Sequence, residues 1–438
     1  MKLLNKHSKA FDFILLLCIF WGQYLLFGLR RSVDLPTYEA FSPLVYPLYP
    51  SVLWIFRTLF GAETGYFLLG LFQNLLLVLS IHSLTGYLKK AFQPELWIHY
   101  LLIAVCSLVF IVQKWFTQAG LVTPNTLFSE AFSIPLYLFF FRYALQAVME
   151  RDMKAFLGAC LFATGIILTR AQLYWVLAVM FLVRLYMADS SRKRAFLSAV
   201  LVCAIIAGFI QGTRVIQNLS EDDDQTKTPS STYLLTTAVY CSTPEDAALF
   251  PANSAEQKLF VQTRSWMDDP ELLAAFSYET GSFTQRHMKF ETYYDGIKGV
   301  IHRNYYGLLE EGMVPNLTTM FIRLVLANPV AYLTHCGQNA LTGLIRTVAI
   351  LRPVINELAC LFFVYILGCL LISRKLDILK KERQLACLGL LCVLLNTLIM
   401  APGVFALSRY MFYNMPVMYI TALLFLRGLF LAWKNRAR

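Results

Sequence analysis

The chain has 438 residues, 58% hydrophobic and 15% charged, where soluble domains run at about 45–50% and about 25%. With a mean hydropathy of +0.56, this excludes a water-soluble globular enzyme and points to a polytopic membrane protein. The net charge of +11 does not signify nucleic-acid binding, because many Lys and Arg flank apolar runs instead of interleaving with exposed aromatics.

A membrane-spanning helix needs roughly 20 apolar residues. Ten segments meet or approach this: 11–29, 67–88, 96–113, 127–148, 154–168, 172–188, 195–212, 355–372, 385–401 and 411–433. The first is too long for a signal-peptide core, and Arg30-Arg31-Ser32-Val33 is a poor cleavage site, so it reads as a retained span. Next comes an outer segment, 30–66, with Asp34, Tyr38 and Glu39, in which Pro43, Pro47 and Pro50 interrupt a tyrosine-rich stretch. Ser51–Phe60 is too short to span and is expected in the interface, anchored by Trp54 and Arg57.

Further along, Lys114 follows the third span, Ser129-Glu130 opens the fourth, and Arg170 sits in the turn between the fifth and sixth. A polar loop, 213–353, carries the acidic run Glu221–Asp224 and ends in an amphipathic stretch, 317–350, expected as one or two helices on the membrane. Arg409-Tyr410 then opens the last span after Pro402-Gly403. The expected fold is all-α and polytopic: about ten transmembrane helices, amphipathic outer juxtamembrane helices and a mixed outer loop region. Its divisions are 1–212, with the outer loop 30–66, then 213–353 and 354–438.

Orientation follows from the basic residues. Lys2, Lys6, Lys9, Lys89, Lys90, Arg151, Lys154, Arg192–Arg194, Arg374, Lys375, Lys380, Lys381, Arg383, Lys434, Arg436 and Arg438 fall on one side of the ten-span arrangement. Lys114, Arg170 and Arg409 fall on the other, one in each short loop. The positive-inside rule then places both termini in the cytoplasm and 213–353 outside.

Several polar residues have two readings each. Asp34 is a general base for an acceptor hydroxyl, or a solvated carboxylate paired with Arg30 or Arg31; Glu39 is the next candidate base. Arg170 lies in a hairpin whose legs have only about 16 residues, or ~24 Å of helix, against a hydrocarbon core of ~30 Å. It is therefore recessed, where it pairs or faces a wet cavity, or it snorkels to the interface. Arg409, Tyr410 and Lys114 suit a phosphate or serve as interfacial anchors. Glu130 lines a cavity or complements its helix dipole. The acidic run 221–224 is a cation site or a solvated tract. Eight cysteines lie in apolar runs; only Cys241 and Cys336 fall in the long polar loop, where they can pair if it faces an oxidising space. No Cys/His cluster has metal-ligand spacing. A divalent cation is left open without a motif, and no cofactor is expected.

In this order the residues resemble the GT-C superfamily of polyprenyl-phosphate-dependent glycosyltransferases, in particular the protein O-mannosyltransferase and aminoarabinose-transferase branch. The likeness runs through Asp34 and Tyr38 after the first span, Tyr46-Pro47-Leu48-Tyr49-Pro50, Leu59-Phe60-Gly61 and Ser129-Glu130. It continues with Leu168-Thr169-Arg170, Ala327-Asn328-Pro329-Val330-Ala331-Tyr332-Leu333 and Ser408-Arg409-Tyr410. It covers most of the chain in order. The resemblance implies an inverting sugar transfer outside the membrane. Asp34 would take the acceptor's proton, and Arg170, Arg409 and Lys114 would stabilise the departing lipid phosphate in a pocket with Tyr38, Glu130 and Tyr410. The acceptor, whether glycan, lipid or protein, is not specified, and the expected membrane is a bacterial plasma membrane. Leu35 after Asp34 and Val45 before Tyr46 depart from the family pattern and leave a metal requirement and the sugar contacts unassigned. A transporter or flippase of lipid-linked saccharides, or a non-catalytic envelope assembly protein, is the alternative; mid-membrane broken helices and repeats would favour the transporter.

Overall fold

The computed structural model describes residues 2–42, 45–111, 124–188, 191–219, 231–269, 283–406 and 408–436. Among the described residues, every regular element apart from a two-residue ladder is helical. Lipid offers backbone groups no partners, so a spanning segment must bond internally. Seven described helices are long and apolar enough to cross a membrane, or eight if one bent pair is counted as a span. Three of the ten expected segments correspond to shorter apolar helices: Leu96–Ile111 with 16 residues, Met153–Ile167 with 15 and Trp175–Tyr186 with 12. At ~1.5 Å per residue, none of these reaches ~30 Å.

The chain divides into two compact units. The first comprises 1–222, 360–396 and 412–438. It opens with α1 (Lys2–Phe27), the two-residue strand β1 (Arg30–Arg31), α2 (Leu35–Glu39), α3 (Leu48–Phe60) and α4 (Ala62–Phe92). After these come α5 (Leu96–Ile111), β2 (Thr126–Leu127), α6 (Ser129–Glu150), α7 (Met153–Ile167), α8 (Trp175–Tyr186) and α9 (Arg192–Leu219). Two glycines serve here in different ways. Gly61 has φ +78°, a left-handed conformation that makes the tight α3–α4 turn. Gly70 on α4 leaves room for the Tyr24 ring of α1, since an added Cβ would meet Tyr24 Cε2 at 2.7 Å. Tyr24 in turn donates its hydroxyl to the Phe67 carbonyl at 2.9 Å. α6 and α7 pack through the stacked rings of Phe139 and Phe162, 4.8 Å apart.

The second unit comprises 223–359 and 397–411. It holds α10 (Ser231–Tyr240), α11 (Ala255–Met267), α12 (Phe283–Glu310), α13 (Leu317–Ala327) and α14 (Pro329–Val348). Leu235, Leu259, Phe260, Ile297, Met320 and Leu324 form its core. The amphipathic stretch is two helices, α13 and α14, bent by 99°, and Leu326, Val330 and Leu333 are exposed on them. Buried Asn339 fastens the turn at 401–406: its side chain donates to the Ala401 and Val404 carbonyls and accepts from the Ala406 amide. Beside it, buried Arg346 pairs with Glu291 and donates to the Ala406 carbonyl at 2.8 Å.

The remaining helices are α15 (Pro353–Ser373), α16 (Lys380–Met400), α17 (Ser408–Met411) and α18 (Met415–Arg436). The acidic run at 221–224 lies outside the described residues.

Candidate active site

A charge pair sits where three segments of the first unit meet. Glu130, in the first turn of α6, is fully buried. Arg170 follows α7 in an extended conformation, φ −155° and ψ 123°, its side chain 13% exposed. The two form an ion pair. Arg170 Nη1 also donates to Ser129 Oγ at 3.2 Å, and Nη2 to Gln172 Oε1 at 3.2 Å. A buried arginine needs such company, since breaking a buried pair costs about 3–5 kcal/mol. Of the readings open to it, Arg170 takes the paired one.

The third segment is α2. Its Tyr38 is buried and donates to Ser129 Oγ at 3.2 Å. Ser129 Oγ in turn donates to Glu130 Oε2 at 3.2 Å. Tyr38 packs edge-on against Tyr49 at 4.9 Å and Phe128 at 6.3 Å. Burial, and then the Glu130 charge, push the Tyr38 hydroxyl up to about 12, so it stays protonated and works as a donor. Asp34 precedes the first residue of this short helix, and its carbonyl accepts from the Tyr38 amide at 3.2 Å. The Asp34 side chain is partly exposed and makes no cap bond to the helix, while its charge reaches the Tyr38 hydroxyl.

Glu39 is engaged elsewhere. It accepts from the Tyr66 hydroxyl and pairs with Arg57 at 3.2 Å, so Arg57 is a partner of Glu39 as well as a candidate anchor. Arg31 pairs with Glu63 at 2.6 Å. The structure thus brings Tyr38, Glu130 and Arg170 together, with Asp34 at the start of the Tyr38 helix and Glu39 at its end. Arg409 and Tyr410 belong to the second unit, where the guanidinium lies over the Tyr410 ring at 5.1 Å and donates to its hydroxyl at 3.1 Å. Lys114 lies outside the described residues.

Two sets of residues that hold the cluster in place escaped the sequence reading. Gln73 on α4 donates to the Thr126 carbonyl at 3.1 Å, and Asn74 to the Pro124 carbonyl at 3.3 Å. Asn125 shares hydrogen bonds with Gln23 and Asn74. These amides, with the parallel ladder pairing Arg30 with Thr126 and Arg31 with Leu127, fix the segment that delivers Ser129 and Glu130. On the other side, Arg214 of α9 lies over the Tyr46 ring at 4.6 Å and donates to the Val45 carbonyl at 3.0 Å. Gln217 donates to the carbonyls of Phe41, Ser42 and Val45. The Leu48 amide donates to the Leu168 carbonyl at 3.0 Å, joining the proline-rich loop to the Arg170 hairpin. The signal that was there to find is a pair of adjacent amides, Gln73-Asn74, inside an apolar run.

Among the described residues no group of three or more His, Cys, Asp and Glu is placed to hold a metal ion. The class defined by these features is a helical membrane protein with a buried ionic cluster joined to a short, acid-bearing helix. Comparison with protein-family models, with curated proteins and with solved structures finds no match.

Proposed function

We propose that the chain is a membrane glycosyltransferase that moves a sugar from a polyprenyl-phosphate donor to an acceptor on the outer side of the membrane, with inversion. The observation that carries this reading is the junction of α2 with the Glu130–Arg170 pair through Tyr38 and Ser129. It couples a partly exposed carboxylate, at Asp34, to a fixed cation. In the proposed reaction the Asp34 carboxylate takes the acceptor's hydroxyl proton. The acceptor oxygen attacks the anomeric carbon, and the bond to the lipid phosphate breaks on the opposite face. Negative charge grows on the departing phosphate, where preorganised cations act most strongly. Arg170 is the cation nearest this junction, and its guanidinium carries five donors, enough to hold protein partners and a phosphate together. Tyr38 and Glu130 are assigned to the pocket around this cation, and Glu39 is the second candidate base.

The topology that goes with this reading has ten spans, including the three short helices, both termini in the cytoplasm and 213–353 outside. The membrane is a bacterial plasma membrane. In this arrangement the short α7–α8 hairpin lies recessed on the outer side of the membrane.

The test is donor cleavage. The purified chain, reconstituted in lipid with a polyprenyl-phosphate sugar and candidate acceptors, is expected to release free polyprenyl phosphate in step with product. Transfer of intact donor across the bilayer without cleavage would make the chain a transporter instead.

A further inference from the structure

Cys241 and Cys336 are the two cysteines outside the apolar runs. They belong to different helical segments of the second unit. Cys241 directly follows α10, its amide donating to the Thr237 carbonyl at 3.2 Å, and Cys336 lies in α14. The residues just before them touch: the Tyr240 and His335 rings are 5.3 Å apart, and both lie against Phe290, at 4.8 and 4.1 Å. Tyr332, one turn before Cys336, bonds to the Cys336 thiol and senses Cys241 as well. The Cys336 thiol adds to the upward push on the Cys241 thiol, after burial. Both stand as partly buried thiols in the structure.

We propose that Cys241 and Cys336 are a disulfide-forming pair that braces the second unit once it faces an oxidising compartment. The bond would close a loop of about 95 residues. It would join α10 to the helix whose Tyr332 donates to the Pro402 carbonyl at 2.9 Å, and so steady the turn that leads into Arg409. The oxidant is a disulfide-bearing thiol oxidoreductase. One cysteine, as thiolate, attacks the oxidant's disulfide, forming a mixed disulfide and freeing one oxidant thiol. The second cysteine attacks the mixed disulfide, the Cys241–Cys336 bond forms, and the oxidant leaves as a dithiol. Two protons and two electrons pass from the cysteine pair to the oxidant. In the folded unit burial pushes the Cys241 thiol up to about 12. Thiolate is then scarce, so pairing belongs to folding, before the site closes.

The inference rests on the proposed outward orientation, and the experiment separates the two. Full-length protein is taken from cells grown without reductant, its free thiols blocked with N-ethylmaleimide during lysis, and digested without reduction. A cross-linked peptide pair containing positions 241 and 336 is expected. A Cys241→Ser variant should lose the pair and leave Cys336 alkylated. Recovery of both cysteines as alkylated peptides, or linked to other cysteines, overturns the proposal. Orientation is read independently, by a membrane-impermeant maleimide on intact cells carrying Ala252→Cys in an exposed turn. Labelling there with both native thiols free leaves the orientation standing and removes only the disulfide. Labelling only after permeabilisation removes both.

Discussion

Glu130 and Arg170 are held by each other, and this sets their response to mutation. Arg170→Ala leaves a buried carboxylate without its cation and is expected to destabilise the protein by about 3–5 kcal/mol. Glu130→Ala does the same to the guanidinium. The double variant should be less damaged than the sum of the two, because the uncompensated charge is gone; a double-mutant cycle on thermal unfolding reads the coupling. Equal, additive losses would mean that the pair does not act as a unit. The Tyr38 hydroxyl is a smaller matter: Tyr38→Phe removes one hydrogen bond to Ser129, worth about 0.5–1.5 kcal/mol. At this scale the charged members stood out in the sequence because charge is expensive in apolar runs. Their partnership was not legible, since Glu130 and Arg170 lie on separate segments that contacts distant in sequence, the ladder at 126–127 among them, bring together. The neutral amides Gln73, Asn74 and Asn125 were overlooked for the converse reason: an amide carries no charge and costs less in lipid. In sequence Asp34 was the first candidate base and Glu39 the next; in the structure Glu39 is tied into the Tyr66–Arg57 group.

Close helix contacts decide the behaviour of single elements. α1 and α4 meet where Gly70 faces Tyr24, and any side chain at that position must displace the ring. Gly70→Ala is therefore expected to lower stability by about 1–3 kcal/mol, the usual cost of overpacking, read as a lower unfolding midpoint in detergent. Gly70→Ala combined with Tyr24→Phe should recover part of that loss; no recovery would place the strain elsewhere. The apolar runs announced most of the long helices, and the residue count between 153 and 189 announced a short hairpin. The structure gives its legs as 15 and 12 residues. The α2 turn was not visible, because Asp34-Leu35-Pro36 has no apolar period to mark a helix; Pro36 in the first turn is compatible with one. Nor was the division of 317–350 at Asn328, where the chain bends sharply before Pro329.

For the whole molecule, hydropathy reached the class of architecture but not a full set of long spans. Length and composition support seven or eight crossing helices; the ten-span arrangement adds α5, α7 and α8 as short crossings. Orientation labelling tests this. With both termini cytoplasmic, a single cysteine at position 228 should react with an impermeant reagent from outside, and one at Lys90 from inside only. Reaction at 228 solely from the cytoplasm would contradict the arrangement.

The proposed reaction itself depends on one carboxylate. Asn at position 34 keeps the shape and part of the hydrogen bonding of Asp but does not accept a proton as a carboxylate does. The direct measurement is the rate of sugar transfer by purified Asp34→Asn beside the unaltered chain, both folded to the same extent and supplied with the same polyprenyl-phosphate donor. General-base assistance contributes about 10²–10⁴-fold, so the variant should bind donor normally and turn over slower by that factor. Turnover at the unaltered rate would contradict the assignment of Asp34 as the base.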